Sequence, residues 1–158
     1  MKITIMAISA GRTSPYSSLV QEYEGRIQHY FDLSVVEVPP ARGGAVTPQE
    51  ARKVEGEVLL RRIPKNNEVF AVSRKGKGLS STGLAQHLRK LSTSARSGAT
   101  FLIGGAHGLP DEVLAGAHRT LSLSRMTLPH ELARLLLTEQ VYRAGTILRG
   151  EPYHKGGG

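Results

Sequence analysis

The sequence predicts an α/β fold in which helices cover both faces of a parallel sheet. Three observations carry that expectation. Strand-like and helix-like periodicities alternate through five strand segments. No internal repeat or low-complexity linker divides the 158 residues, so a single domain over residues 1–158 is expected. The loops after the later strands are rich in glycine and polar residues, and ligands of parallel sheets sit at such loops.

Met1–Ile8 is apolar and β-branched and reads as a strand. Leu19, Tyr23, Ile27 and Tyr30 recur at helical spacing and predict a helix over Tyr16–Tyr30. Leu33–Val38 is a second strand, stopped by Pro39-Pro40, and the Pro- and Gly-bearing stretch after it is expected to be a surface loop. Thr47-Pro48-Gln49-Glu50 is a capping box with Pro at the first helical position, opening a helix to about Arg62. Glu68–Ser73 is the third strand, followed by a basic glycine loop at Arg74–Gly78. Ser80 or Ser81 then caps a helix that reaches about Ala95. Thr100–Ile103 is the fourth strand and ends in Gly104-Gly105-Ala106-His107-Gly108. A short helix over Pro110–Ala117, a short strand over Thr120–Leu123 and a long amphipathic helix from about Pro129 to Leu148 complete the order, with Gly150 as the stop. A site is expected where three loops of the second half meet: after Ser73, at Gly104–Gly108 and at Ser124–Pro129.

Composition narrows the chemistry. Cysteine is absent, which excludes thiolate nucleophiles, disulfides and Cys-ligated zinc. The first residues lack the features of a signal peptide, and no stretch approaches the ~20 apolar residues of a membrane span; a cytoplasmic protein with no membrane partner is expected. The formal charge is +8, and no acidic residue occurs between Glu68 and Asp111, an interval holding Arg74, Lys75, Lys77, Arg89, Lys90 and Arg96. Such a segment suits a polyanionic partner or a solvated basic face, and composition favours neither.

Several chemistries are poorly matched. Gly104, Gly105 and Gly108 form G-G-x-x-G rather than the dinucleotide fingerprint, and no acid lies between Glu112 and Glu131 to meet a ribose. No phosphate-binding G-x-x-x-x-G-K-[ST] and no G-x-S-x-G elbow occurs. The six histidines show no paired spacing, so no metal is expected. Glycine-rich loops can also hold an adenosyl group through backbone amides and carbonyls, although a tight strand-to-helix turn explains the same glycines.

Four segments then stand out: Phe101–Leu109 (FLIGGAHGL), Leu121–His130 (LSLSRMTLPH), Glu139–Ala144 (EQVYRA) and Gly150–Lys155 (GEPYHK). With Met1–Ile5 and Val35–Pro39, in order and at matching separations, they resemble the SPOUT class of knotted methyltransferases acting on large-subunit ribosomal RNA. The resemblance spans essentially the whole chain. It implies S-adenosyl-L-methionine as cofactor and a deep trefoil knot in the C-terminal part, with a knotted cofactor region at about 68–155. It further implies a homodimer whose active site combines both subunits, and methylation of N3 of a pseudouridine in large-subunit rRNA on the assembled ribosome.

Carried onto this sequence, the cofactor contacts implied are Val72, Gly104, Leu123, Ser124, Arg125, Met126, Thr127 and Leu128. The family more often has leucine at the position of Val72 and an acid at that of Ser73. Candidate catalytic residues are His130, Arg143, Tyr153 and His154. His130 is a base or orienting group for the N3 proton, or equally a capping residue of the long helix. Arg143 stabilises charge on the uracil oxygens or binds phosphate, or pairs with Glu139 at helical spacing. Tyr153 stacks on the target base beside His154, or the two belong to a frayed terminus. Arg74, Lys75, Lys77 and Lys155 are the expected RNA contacts. Two rival functions are a ribosome-binding factor without catalysis and a SPOUT methyltransferase acting on tRNA.

Overall fold

A computed structural model describes residues 1–9, 14–41, 47–96 and 98–153. The elements are β1 (Lys2–Ile8), α1 (Ser17–Ile27), β2 (Asp32–Val38), α2 (Pro48–Arg62), β3 (Asn67–Gly78), α3 (Ser81–Ser92), β4 (Gly98–Ile103), α4 (Asp111–Gly116), β5 (Arg119–Ser122) and α5 (His130–Leu148). The strands form one parallel sheet in the order β2-β1-β4-β3-β5.

Alternation along the strands sends side chains to two separate cores. Ile3, Ile5, Phe70, Phe101 and Ile103 meet Ile27, Leu84, Leu88, Leu137 and Val141 from α1, α3 and α5 on one face. Met6, Ile8, Val69, Ala71 and Leu102 meet Leu59 and Val113 from α2 and α4 on the other. Both faces are therefore covered, as the strand-helix alternation predicts. The capping box forms as expected: Thr47 Oγ1 accepts from Glu50 N, and the Glu50 carboxylate accepts from Thr47 N. Ser80, rather than Ser81, caps α3 by accepting from Gly83 N.

One expectation is corrected. Arg74–Gly78 is not a free loop but the second half of β3, which continues to pair with β5 after an irregularity between Val72 and Lys77. Its glycines and charges hide the strand pattern, because the ladder here is held by backbone rather than by buried side chains. Gly76 makes this possible: a Cβ there would lie 2.5 Å from the Thr120 carbonyl oxygen. The bulge turns Ser73, Arg74 and Lys75 toward the end of the sheet where the loops converge.

At the opposite end of β3, a nearly buried carboxylate ties three elements together. Glu68 accepts from Arg119 Nε of β5 at 2.5 Å and lies 3.0 Å from His87 Nε2 of α3. Burial alone would raise its pKa, but the hydrogen bonds and charges of Arg119 and His87 outweigh that and hold it below its ordinary 4.5. The stabilisation is thus fully present above pH 4.5 and is lost as pH falls through the lowered value. Urea unfolding at pH 6 and at successively lower pH should show the midpoint dropping in the acid range. Glu68→Gln should be less stable at pH 6, and its midpoint should vary less with acidification; a parallel acid profile in the variant would show that the cluster contributes nothing.

Candidate functional site

The ends of β3, β4 and β5 open onto one cavity of about 820 Å³. Its walls come from all three expected loops: Val72 to Lys75, Gly104 to Gly108, and the segment Leu123 to Pro129. These loops are brought together by strand order alone, since β4, β3 and β5 are neighbours and run the same way. Val72, Ile103, Leu109, Leu123 and Leu128 give the cavity an apolar lining, and Ser73, Ser124 and Thr127 supply hydroxyls. Within Leu123–Leu128, Arg125 is exposed and stands outside the wall, and Lys77 likewise lies away from it.

The glycine turn has a definite physical basis. Gly108 N donates to Gly105 O at 3.0 Å, and Gly108 takes a φ of +75°. A Cβ on Gly104 would lie 2.4 Å from the carbonyl carbon of Gly108, so only glycine lets the two limbs of the turn approach. Beneath the turn lies Glu55 of α2, buried, with its carboxylate accepting from Ala41 N at 2.9 Å. A Cβ on Gly105 would meet the same carboxylate at 3.3 Å. Glu55 thus packs the underside of the turn.

His130 is the first residue of α5 and lines the cavity. Pro129 occupies the N-cap and no side chain caps the helix, so the capping reading of His130 is not what the structure shows. Its ring makes no hydrogen bond among the described residues and is free to meet a ligand. One turn later Arg134 is largely buried, with Nη2 3.0 Å from Glu24 of α1 and Nη1 2.5 Å from Glu37 of β2. That double pairing fixes the start of α5 against α1 and β2, and Arg134 Nε is buried with no hydrogen-bond partner among the described residues.

Arg143 and Tyr153 lie elsewhere. They are packed with Glu139, Tyr23 and Tyr142 on the far half of α5, ~20 Å along the helix axis from His130 at 1.5 Å per residue. Arg143 donates from Nε and Nη2 to Glu139, the pairing read from spacing, and its guanidinium carbon sits 4.8 Å from the Tyr153 ring centre. Tyr153 Oη donates to Glu139 at 3.2 Å. Burial, the hydrogen bond with Tyr23 and the charge of Glu139 together push the Tyr153 phenol up, so it stays protonated across the physiological range. Within one chain, then, these two candidates do not join His130. His154 and Lys155 lie outside the described residues.

Arg52, Glu55 and Arg134 were not singled out from the sequence. Two carry a signal in retrospect. Glu55 falls on the buried stripe Ala51, Glu55, Leu59 of α2, and Arg134 interrupts the apolar run Leu132–Leu137; a charge on an apolar stripe asks for a partner. Arg52, on the cavity rim beside Arg74 and Lys75, has no such signature.

A family model described as Predicted SPOUT methyltransferase matches residues 1–154. The chain belongs to the SPOUT methyltransferase family. Proteins named Ribosomal RNA large subunit methyltransferase H are similar over nearly its whole length. The one from Gemmatimonas aurantiaca is 43% identical over 155 residues, covering 98% of this chain and 100% of that protein. Those from Anaeromyxobacter sp. strain Fw109-5 and Halothermothrix orenii are 44% and 41% identical, with the same two coverages. Among solved structures, a probable methyltransferase from Bordetella pertussis Tohama I aligns with a TM-score of 0.54 at 17% identity, over 90% of this chain and 93% of that one. A probable methylase family protein from Haemophilus influenzae Rd KW20 aligns at 0.52 and 10% identity, over 96% of this chain and 69% of that one. These two likenesses show the fold alone.

SPOUT methyltransferases use S-adenosylmethionine, and the residues present fit it. The cavity has the size of a small-ligand pocket, an apolar lining for the adenine ring and a glycine turn that bares backbone groups. Gly104→Val should lower affinity for S-adenosylhomocysteine more than tenfold, about 1.4 kcal/mol or more. The cause is collapse of the turn against Gly108, not a side chain occupying ligand space. Calorimetric titration checks this, and near-normal affinity would remove the turn from the site.

Proposed function

We propose that this protein transfers a methyl group from S-adenosylmethionine to N3 of a pseudouridine in large-subunit ribosomal RNA. It acts in the cytoplasm on the assembled ribosome, as a homodimer of single-domain chains whose C-terminal parts are knotted. The observation that carries the reading is the convergence of the three loops, with His130 at their edge, on one cavity. The names of the relatives matched over their full length support ribosomal RNA as the substrate. Arg52, Arg74 and Lys75 on the cavity rim, with Lys77 nearby, form no ion pair among the described residues and are available to RNA phosphates.

When bound, S-adenosylmethionine supplies an electrophilic methyl: the N3 lone pair takes it while the carbon–sulfur bond breaks and its electron pair stays on sulfur as a neutral thioether. The protein's remaining tasks are alignment and proton removal. His130, with no internal hydrogen bond, takes the N3 proton. Val72, Leu123 and Leu128 exclude water from the reacting atoms. Glu139 holds Arg143 and Tyr153 in a preformed pair, far from the same chain's His130. That separation supports a dimer in which one protomer's Arg143, Tyr153 and His154 serve the partner's cavity. A homodimer also suits a helix, α5, whose two ends carry different parts of the machinery. The return of the chain from the sheet edge at β5, past the loops after β3 and β4, to pack α5 on α3 and α1 supports the knot.

His130→Ala should lower kcat for methyl transfer to large ribosomal subunits by roughly 10²–10⁴-fold while leaving S-adenosylhomocysteine affinity within a few fold. Mass mapping of RNA from cells lacking the gene checks the substrate: a single methyl should vanish from a large-subunit pseudouridine. Its persistence there, or loss from tRNA instead, would overturn the assignment, and absence of cofactor binding would overturn the enzyme.

A further inference from the structure

We propose that the end of the sheet opposite the cavity is a second contact surface for the same ribosomal RNA, gripping its phosphates away from the target nucleotide. The inference rests on the reading of ribosomal RNA as the substrate. Parallel strands start at one end, and the pairing sets Lys2 of β1, Gly98 of β4 and Asn67 of β3 side by side. Lys65 precedes β3 by two residues and Arg96 precedes β4 by two, so both stand at this end with Lys2. The crossover helices α2 and α3 run back from the cavity end and deliver Arg62, Arg89 and Lys90 in their last turns. All six residues are exposed, and none forms an ion pair among the described residues. The six residues of β4, at ~3.3 Å each, separate this end from the cavity by about 20 Å, out of reach of the target nucleotide itself.

Like charges gathered at one end repel one another unless a polyanion meets them. The carboxylates nearby do not serve. Glu68 is taken by Arg119 and His87, Glu57 pairs with Arg61, and Glu151 accepts from Tyr30 Oη. Asp32 stands beside Lys2 on the edge strand β2, on the side away from Lys65 and Arg96. All thirteen acidic residues lie in the described parts of the chain, so no undescribed side chain adds a carboxylate here. Helix C-termini attract cations, which is one reason for Arg62, Arg89 and Lys90 to be where they are. The last carbonyls of α3 are already met, however: the hydroxyls of Ser92, Thr93 and Ser94 donate to the carbonyl oxygens of Arg89, Lys90 and Leu91 at 2.7, 3.0 and 2.9 Å. Lys2, Lys65 and Arg96 lie outside the last helical turns, beyond the range of that attraction. The acid-free interval thus divides its cations between two ends of the sheet: Arg89, Lys90 and Arg96 here, Arg74 and Lys75 on the cavity rim. A structured RNA is then held at the rim around its target nucleotide and here by backbone charge, which positions without reading sequence.

The test compares two variants of equal net charge. Lys65→Gln combined with Arg96→Gln neutralises two cations at this end, and Lys53→Glu changes the charge by the same amount at an exposed position of α2. With large ribosomal subunits as substrate, the double variant should raise KM by about tenfold at unchanged kcat, whereas Lys53→Glu should stay within about threefold of wild type. Filter binding to protein-free large-subunit rRNA should weaken by about tenfold in the double variant, and its slope of log affinity against log salt should fall by roughly two. S-adenosylhomocysteine affinity within about twofold of wild type shows that both variants are folded. A wild-type KM in the double variant, or an equal rise in Lys53→Glu, would overturn the proposal. So would a loss on intact subunits with none on protein-free rRNA, which would point to an acidic protein surface. Wild-type protein that methylates tRNA and not large subunits would instead defeat the substrate reading on which the proposal rests.

Discussion

The parallel pairing of β3 with both β4 and β5 is the constraint on which the rest of this structure depends. Parallel neighbours deliver their following loops to the same end of a sheet, so three segments distant in sequence become three walls of one cavity. No side chain in those loops has to find another across the molecule. The ladder hydrogen bonds place them, and the two apolar cores beneath hold the ladder flat against its helices. This explains how a binding site can be built largely from glycine, small hydroxyls and aliphatic groups.

The long C-terminal helix makes the second contribution. Its middle is anchored by Leu137 and Val141 in the core, and its start is pinned by Arg134 between two carboxylates from different elements. A rigid helix so held presents consecutive residues of its first turn to opposite sides. The far half of the same helix carries Glu139 and Arg143, with Tyr153 from beyond the helix packed on them, and Arg143 stands at a distance from His130 that no rotamer can bridge.

Much of this was legible in the sequence. The order of the elements, and the approximate bounds of all but β3, follow from periodicity and punctuation, and the Thr47–Glu50 box and the Ser80 cap form through the atoms that sequence rules name. The meeting of the three loops was legible too, since it follows from strand alternation. Strand order was not, because nothing local in a strand specifies its neighbour. The second half of β3 was hidden because its pairing uses backbone only and its composition is that of a turn. Arg134 and Glu55 each interrupt an apolar stripe, which signals a buried charge, but the partners that α1, β2 and the loop at Ala41 supply are visible only in the packing. The separation of Arg143 from His130 already follows from the helix expected over Pro129–Leu148, whereas the packing of Tyr153 back onto Glu139 and Arg143 had no local signal.

The close approach of Gly76 to the Thr120 carbonyl extends the reach of the site into residues that never touch a ligand. Even an alanine methyl at position 76 would wedge the edge strand outward. The segment that strand feeds, 123–128, would swing with it, while both cores stayed intact. Inherited variation at a half-buried glycine outside the cavity lining would then surface as weakened ligand affinity in a normally folded protein, a lesion easily mistaken for damage to the pocket itself.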